Sequence, residues 1–439
     1  MPGQTTERKD HVPQICILGL GYVGLPLALS FAMEGHPVIG VDTNRELIQQ
    51  LKAGITYHKE SFEGKSIQEI LREQLEAGSF VPKEEVPSDC TIYIITVGIP
   101  VVKKEPFYEP LLQALRMVRE VLKKGDLVLL RSTVPPGFSE QIARPLLEEK
   151  GLRAGIDFNL AYSSERIAEG KAFEEFRNMP VVVAGLSEEC CRRAEKVLGL
   201  IARAPIYRAS SMTAVETAKL FENISRDVNI AMVNEFAAFC RAVGLNTQEV
   251  ISLANTHKRV NLLQPGPGVG GYCLPNALYY LLPRAREKEL SLPLLTTARQ
   301  VNDSIPASVS QMVFSALAAK GVSPAEAKIA VLGLAMKDYS SDDRQSPAWI
   351  IIRQLQERGV AVSIFDPAVP YEGPLKASSL EDCLRDSDCL LILARQKEIP
   401  FSSIPELLSL MKPKPVVIDT RFVFTKEEIS QRGGVYYSL

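Results

Sequence analysis

The most reactive arrangement in this sequence is a cysteine set behind a run of glycines. The stretch Gln264-Pro265-Gly266-Pro267-Gly268-Val269-Gly270-Gly271-Tyr272-Cys273-Leu274-Pro275 cannot continue a helix, because proline removes a backbone donor and glycine is costly to order. It must form a tight loop whose bare backbone can come close to a ligand, with a thiol at its end. A lone cysteine is usually a small buried hydrophobe. One displayed on a glycine loop is presented as a nucleophile, and it then needs a cofactor, an acid–base group and a substrate.

A cofactor site is readable near the start. An apolar run over 14–20 is followed by Gly19-Leu20-Gly21-Tyr22-Val23-Gly24, a helical pattern over 25–35, a second apolar run over 37–41, and Asp42. Strand, G-x-G-x-x-G, helix, strand and acid together are the dinucleotide pattern. The glycines let a pyrophosphate approach the helix N-terminus, whose free N–H groups and dipole favour anions. Asp42 would accept from the adenine ribose and repel a 2′-phosphate, so NAD is expected rather than NADP, although Arg45 stands nearby.

Two further strand-end loops carry polar residues: Arg131-Ser132-Thr133-Val134-Pro135-Pro136-Gly137 and Tyr162-Ser163-Ser164-Glu165-Arg166-Ile167-Ala168-Glu169-Gly170. Such loops line the ligand crevice of an open α/β sheet. Taken alone, Glu165 reads equally well as a solvated carboxylate. Lys219 and Asn223 lie four apart on a helical pattern, so they share a face, with Arg226 close by. Such a trio is usually a wet helix face. Here the neighbouring stripe Leu220, Ile224, Val228, Ala231 is apolar, so the polar set can flank a site.

The elements that must position these groups fall into three blocks. Further strands are expected over 91–97, 127–130 and 181–183, with helices over 111–122 and 188–198, completing a doubly wound first domain at 1–205. From Ser211 up to Gly244 neither glycine nor proline interrupts a helical pattern that would span roughly 50 Å. That is too long for one domain, so this helix should bridge domains or pair with a second subunit. Helices over 279–288, 294–301 and 305–320 complete an all-α middle domain at 206–320. A second Rossmann-like unit follows at 321–439. It has strands over 329–334, 361–365, 390–393 and 416–418, a polar loop over 337–344, and a helix capped by Ser346 with Pro347 in its first turn. It lacks the G-x-G-x-x-G, so its ligand should not be a second dinucleotide. The expected fold is therefore α/β, two doubly wound domains joined by a long central helix.

Composition narrows the partners. The chain has 439 residues, 46% hydrophobic and 23% charged, with a formal net charge of −2. This near-neutral balance points to no nucleic acid or acidic membrane surface. No apolar run approaches a membrane span, and residues 1–10 lack the apolar core of a signal peptide, so a cytoplasmic protein is expected. The 8 cysteines lack metal-ligand spacing. Free thiols and no metal are expected.

The residues 19–24, Ser132-Thr133, Glu165, Lys219 with Asn223, Gly268-Val269-Gly270-Gly271-Tyr272-Cys273, Lys337 with Arg344, and Asp419-Thr420-Arg421 occur in the order found in the UDP-glucose/GDP-mannose dehydrogenase family. The chain resembles that family over nearly its whole length. The strings at 225–231, 253–268 and 298–303 resemble its UDP-N-acetyl-D-mannosamine branch. The resemblance implies oxidation of a nucleotide sugar's C6 alcohol to a carboxylate with NAD, for a surface polysaccharide or related glycan, in a homodimer. It also implies residue roles. Cys273 would trap the intermediate aldehyde, Lys219 and Asn223 would handle the oxyanion or a water, and Glu165 would be the acid–base carboxylate. Gly19, Gly21, Tyr22, Val23, Gly24, Asp42, Ser132, Thr133, Glu169 and Arg344 would hold the cofactor. Gln264, Gly268, Gly270, Lys337 and Arg421 would hold the substrate, with Arg259 reaching a neighbouring subunit's substrate. Two positions depart from the family: Ala277 stands where it carries an aspartate, and Val97-Gly98-Ile99-Pro100 lacks a hydroxyl usual near the cofactor. The departures leave two alternatives open, a two-electron oxidation that stops at a carbonyl and a catalytically impaired relative.

Overall fold

The computed structural model describes residues 14–439, so the expectation for residues 1–10 lies outside the described residues. The first sheet is built from short apolar strands: β1 Ile15–Leu18, β2 Val38–Val41, β3 Phe80–Lys83, β4 Ile92–Ile95, β5 Leu127–Leu130, β6 Asn159–Tyr162, β7 Val181–Gly185 and β8 Ile206–Arg208. Their order is β8-β7-β6-β5-β4-β1-β2-β3. Every pair is parallel except β6 with β7. β1, β2, β4 and β5 are buried at every residue, as continuous apolar runs require when helices cover both faces. Helix α1, Gly24–Met33, packs its apolar length into this core. Farther along, α2 spans Ala172–Asn178.

No strand lies between β8 and the second sheet among the described residues. Instead come α3 Met212–Val243, α4 Thr247–Asn255, α5 Cys273–Glu287 and α6 Pro293–Lys320. The chain divides into two compact units, and the division falls inside α3: among the described residues the first runs up to Phe221 and includes Tyr279–Glu289, the second comprises Glu222–Leu278 with Leu290–Leu439. The long helix therefore does cross between compact units, as its length required.

Within the second unit, β9 Lys328–Leu332, helix α7 Pro347–Glu357, β10 Ala361–Phe365, β11 Cys389–Ile392, β12 Val416–Asp419 and β13 Val435–Ser438 form a wholly parallel sheet ordered β10-β9-β11-β12-β13. Ser346 Oγ accepts the N–H of Ala348, so the expected cap of α7 is present. The α/β class, the two doubly wound sheets and the helical middle region are as read from the sequence.

Three readings change. The helix expected from 279 begins at Cys273 itself, because Pro275 falls in its first turn, where a missing N–H costs nothing. The helices expected over 294–301 and 305–320 are one, α6, which runs through Pro306. Burial of Val309, Val313 and Leu317 outweighs the hydrogen bond that Pro306 cannot make. The edge strands β3, β8 and β13 and helix α4 lacked apolar runs long enough to announce them.

A buried charge cluster joins α3 to α6 in the second unit. Arg299, 3% exposed, donates from Nη1 to Asp227 Oδ1 at 2.5 Å, and Asn302 Nδ2 donates to the same oxygen at 2.9 Å. Burial pushes the Asp227 carboxyl up despite the guanidinium beside it. Removing one partner of such a pair strands the other, at a cost of about 3–5 kcal/mol. The strings 225–231 and 298–303, far apart in the chain, thus meet as one interaction.

Candidate active site

The first sheet reverses direction of construction between β1 and β4, and ligands of open α/β sheets bind in the crevice at such a point. A solvent-open cleft lies there, lined by Gly19, Gly21, Asp42, Thr43, Thr96 and Gly98 among others. The glycines Gly19, Gly21 and Gly24 of the G-x-G-x-x-G have different reasons to be glycine. Gly19 has φ +89°, outside the range of ordinary side chains. A Cβ on Gly24 would fall 1.7 Å from the carbonyl oxygen of Gly19, so only glycine lets α1 start so close to the strand end. Around Gly21 nothing lies within 4 Å of such a Cβ, which leaves room for a diphosphate. Val23 precedes α1 without a side-chain cap, so the helix end is free to meet an anion.

Asp42 accepts the N–H of Leu20 at 2.8 Å and of Asn44 at 2.9 Å. A carboxylate has about four acceptor positions, so both oxygens retain capacity for ribose hydroxyls. Arg45, which could have held a 2′-phosphate, is exposed and paired with Glu84 at 3.1 Å. Ile99 is buried and offers no hydroxyl, and the nearby Thr96 Oγ1 is engaged with the Leu18 and Gly19 carbonyls at 2.9 and 2.7 Å. These residues fit NAD.

Beside β5 and β6, Arg131 Nη2 donates to Glu165 Oε2 at 2.5 Å, with the two side chains 4% and 10% exposed. Glu165 Oε1 accepts the N–H groups of Arg166 and Ile167. Glu165 is therefore a held carboxylate rather than a solvated one. Ser132 is buried, its carbonyl bonded by the Tyr162 hydroxyl at 3.0 Å, while Thr133 and Glu169 are half-buried. Lys219 is 8% exposed on α3. One turn earlier, Glu216 is fully buried and accepts the N–H groups of Gly137 and Ser139 at 2.6 and 2.9 Å. That contact locks the start of α3 to the Ser132–Thr133 loop, and burial pushes the Glu216 carboxyl up.

In the second unit, the glycine stretch rests against the loop that follows β9. A Cβ on Gly270 would lie 2.7 Å from Pro347 Cδ and 2.9 Å from the Gln345 carbonyl oxygen. Gly271, at φ +76°, donates its N–H to the Arg344 carbonyl at 3.1 Å. Gly268 lies against Pro306 and Pro347, and a Cβ on Gly266 would meet Arg421 Nη1 at 2.7 Å. Asparagines hold the other side of the stretch. Asn234 Oδ1 accepts from Gly266 N, Asn229 Oδ1 from Leu263 N, and Asn255 Oδ1 from Leu262 N. Asn229 and Asn255 fall in the strings 225–231 and 253–268 noted in the sequence, whereas no sequence signal marked Asn234.

Arg421 is fixed by Asp338, which receives its Nε at 2.8 Å and Nη2 at 2.7 Å and also receives Arg395 Nε at 3.0 Å. Asp338, Arg395 and Arg421 follow β9, β11 and β12, so the cluster sits at the carboxyl ends of the second sheet, where it too changes direction. Lys337 and Arg344 are exposed in the same loop region, and the Arg344 side chain is paired with Asp342. Gln264 and Arg259 are exposed. Asn223 is 2% exposed and accepts from Arg226 Nη2 at 3.0 Å.

Cys273 is the one exposed thiol among the described residues. It opens α5, whose first-turn N–H groups favour negative charge on an atom held there. Ala277 follows one turn later on the same face and is 1% exposed. Among the described residues no cluster of three or more His, Cys, Asp or Glu side chains could hold a metal ion, and no helix is long and apolar enough to cross a membrane.

Three family models match in register with this architecture: the NAD binding domain of the UDP-glucose/GDP-mannose dehydrogenase family over residues 13–201, its central domain over 213–304 and its UDP binding domain over 330–426. The chain belongs to the UDP-glucose/GDP-mannose dehydrogenase family. It is an NAD-dependent nucleotide-sugar dehydrogenase. The chain is similar to the UDP-N-acetyl-D-mannosamine dehydrogenase of Pyrococcus horikoshii, 36% identical over 95% of this chain and 97% of the relative. A solved structure of UDP-D-ManNAc dehydrogenase from that organism superposes with a TM-score of 0.88 at 35% identity, covering 97% of this chain and 98% of the other. The UDP-N-acetyl-D-glucosamine 6-dehydrogenase of Pseudomonas aeruginosa is 30% identical over 95% of this chain and 99% of its own length.

For this dehydrogenase, the tight seat of Gly270 makes a direct test. Gly270→Ala must push the stretch off Pro347 and Gln345. Activity should fall on the order of 10²-fold, the usual cost of a displacement near 1 Å, while the protein stays folded with a modestly lowered melting temperature. Steady-state kinetics beside thermal unfolding checks this.

Proposed function

We propose that this dehydrogenase oxidises the C6 hydroxyl of UDP-N-acetyl-D-mannosamine to the uronic acid. The observation that carries the reading is Cys273, an exposed thiol at the head of α5 directly behind a loop pinned through its backbone. The relatives' names give the sugar class. The division of labour follows the notional segments 1–205 for cofactor, 206–320 for the nucleophile and 321–439 for the nucleotide. Gly19, Gly21, Tyr22, Val23, Gly24, Asp42, Ser132, Thr133 and Glu169 would hold the cofactor, with Arg344 supporting it. Gln264, Gly268, Gly270, Lys337 and Arg421 would hold the sugar nucleotide, and Arg259 would serve a neighbouring subunit.

NAD, when bound, accepts a hydride in each oxidation. The first oxidation turns the C6 alcohol into an aldehyde, and the Cys273 thiolate adds to its carbonyl carbon, giving a thiohemiacetal. The second leaves a thioester, and water then breaks the C–S bond, releasing the acid and the thiol. Lys219 balances the developing oxyanion, and Asn223 orients that oxygen or the water. Glu165 moves the proton, held in place by Arg131.

The buried Ala277 offers no base for the hydrolytic step. Loss of a general base costs on the order of 10²–10⁴ in rate, so hydrolysis would become the slow step or the reaction would stop at a carbonyl. We infer that the protein works as a cytoplasmic homodimer, supported by an exposed apolar stripe on α3, Met232, Phe236, Phe239 and Val243, at helical spacing. Sedimentation should show a dimer, and a fully active monomer at working concentration would exclude it. The NADH formed per UDP-N-acetyl-D-mannosamine consumed tests the reaction itself. A ratio of two is expected, after an initial burst if hydrolysis limits. A ratio of one with a free carbonyl would establish the two-electron variant, and none would refute the substrate.

A further inference from the structure

Residues 56–60 belong to no helix and carry no catalytic role, yet they touch both working loops of the first unit. At one end they pack on the phosphate-binding loop. The Tyr57 and His58 rings stack with centroids 4.2 Å apart, and Tyr22, inside the G-x-G-x-x-G, meets them edge-on at 5.5 and 5.4 Å. His58 is 6% exposed, its Nδ1 2.6 Å from Thr56 Oγ1, so this end is a packed cluster rather than a loose loop. At the other end Glu60, 4% exposed, receives the N–H of Gly170 at 2.6 Å on one oxygen and of Ala172 at 3.0 Å on the other. Lys171, the residue that precedes α2, makes no side-chain cap. Glu60 supplies the cap from more than a hundred residues away, and so fixes the end of the loop that carries Glu165 and Glu169.

We infer that residues 56–60 form a strap through which dinucleotide binding at residues 19–24 orders the acid–base loop at 163–172, with Glu60 as its positioning residue. A ligand held against Tyr22 restrains Tyr57 and His58. Two residues on, the Glu60 carboxylate passes that restraint to Gly170 and Ala172. A carboxylate offers only acceptors, which suits two converging N–H groups, whereas an amide turns a donor toward one of them. The inference deepens the reading of Glu165 given above, but the order of the loop can be measured without that reading. If Glu165→Gln turned over normally, the acid–base role would fall and the coupling would stand or fall on its own.

The test is hydrogen–deuterium exchange on the full-length protein with and without NAD. In the unaltered enzyme, NAD should slow exchange of the amides at 165–172 by about fivefold or more, a usual size for coupling between sites. Glu60→Gln should still fold, with a somewhat lower melting temperature, and bind NAD by calorimetry, yet lose that slowing. Glu60→Asp, which keeps the charge, should restore part of it. His58→Gln breaks the other end of the strap, so it gives the same reading should the Glu60 variants fold poorly. Equal slowing in all variants would overturn the inference, since the cofactor would then be acting on the loop by direct contact. So would an absence of slowing in the unaltered enzyme.

Discussion

The working half of the second unit depends on a glycine backbone packed where no side chain would fit. Residues 266–271 lie so close to Met336, Gln345, Pro347 and Arg421 that side chains at Gly266, Gly270 or Gly271 would have to displace their neighbours. Close packing of this kind has almost no slack, because protein interiors are filled to crystal-like density. The loop is closed from the other side by Asn229, Asn234 and Asn255, each accepting a main-chain N–H. The chain is thereby brought to one position at Tyr272, and Cys273 starts α5 from there. Asn276 Nδ2 donates back to the Tyr272 carbonyl at 2.9 Å, joining the first turn of the helix to the loop.

Charge is used for holding as much as for chemistry. Glu165 is gripped by Arg131, Arg421 by Asp338, and Asp227 by Arg299. Buried or half-buried pairs of this kind add little net stability, since desolvation offsets most of the attraction. What they contribute here is direction: a planar guanidinium and a carboxylate meet in a fixed geometry. A carboxylate held this way presents the same edge in every molecule. Glu216 and Glu60 serve as remote clamps on backbone N–H groups, one fixing the Ser132–Thr133 loop and the other the end of the Glu165 loop.

Much of this is legible in the sequence. The first sheet's apolar runs and the G-x-G-x-x-G followed by Asp42 give strand, turn and helix through local rules, and β5 and the helix Glu188–Leu198 fall where read. The reach of α3 across two compact units follows from its length alone. What escaped depends on contacts distant in sequence. Nothing local shows that Pro306 will be carried inside α6 or that Glu60 will cap α2. Nothing local shows that Asn234 will hold Gly266. The start of α5 is hidden for another reason: in the sequence Pro275 looks like loop punctuation, but it sits in a first turn, where proline is welcome.

The central claim is that the reaction passes through a covalent bond to Cys273. It is tested most directly by quenching the enzyme during turnover with NAD and UDP-N-acetyl-D-mannosamine and mapping its peptides by mass spectrometry. The expected result is a nucleotide-sugar adduct on the peptide that carries Cys273 and on no other cysteine, absent from Cys273→Ala. Complete conversion to the acid with Cys273 unmodified throughout, together with an active Cys273→Ala, would contradict it.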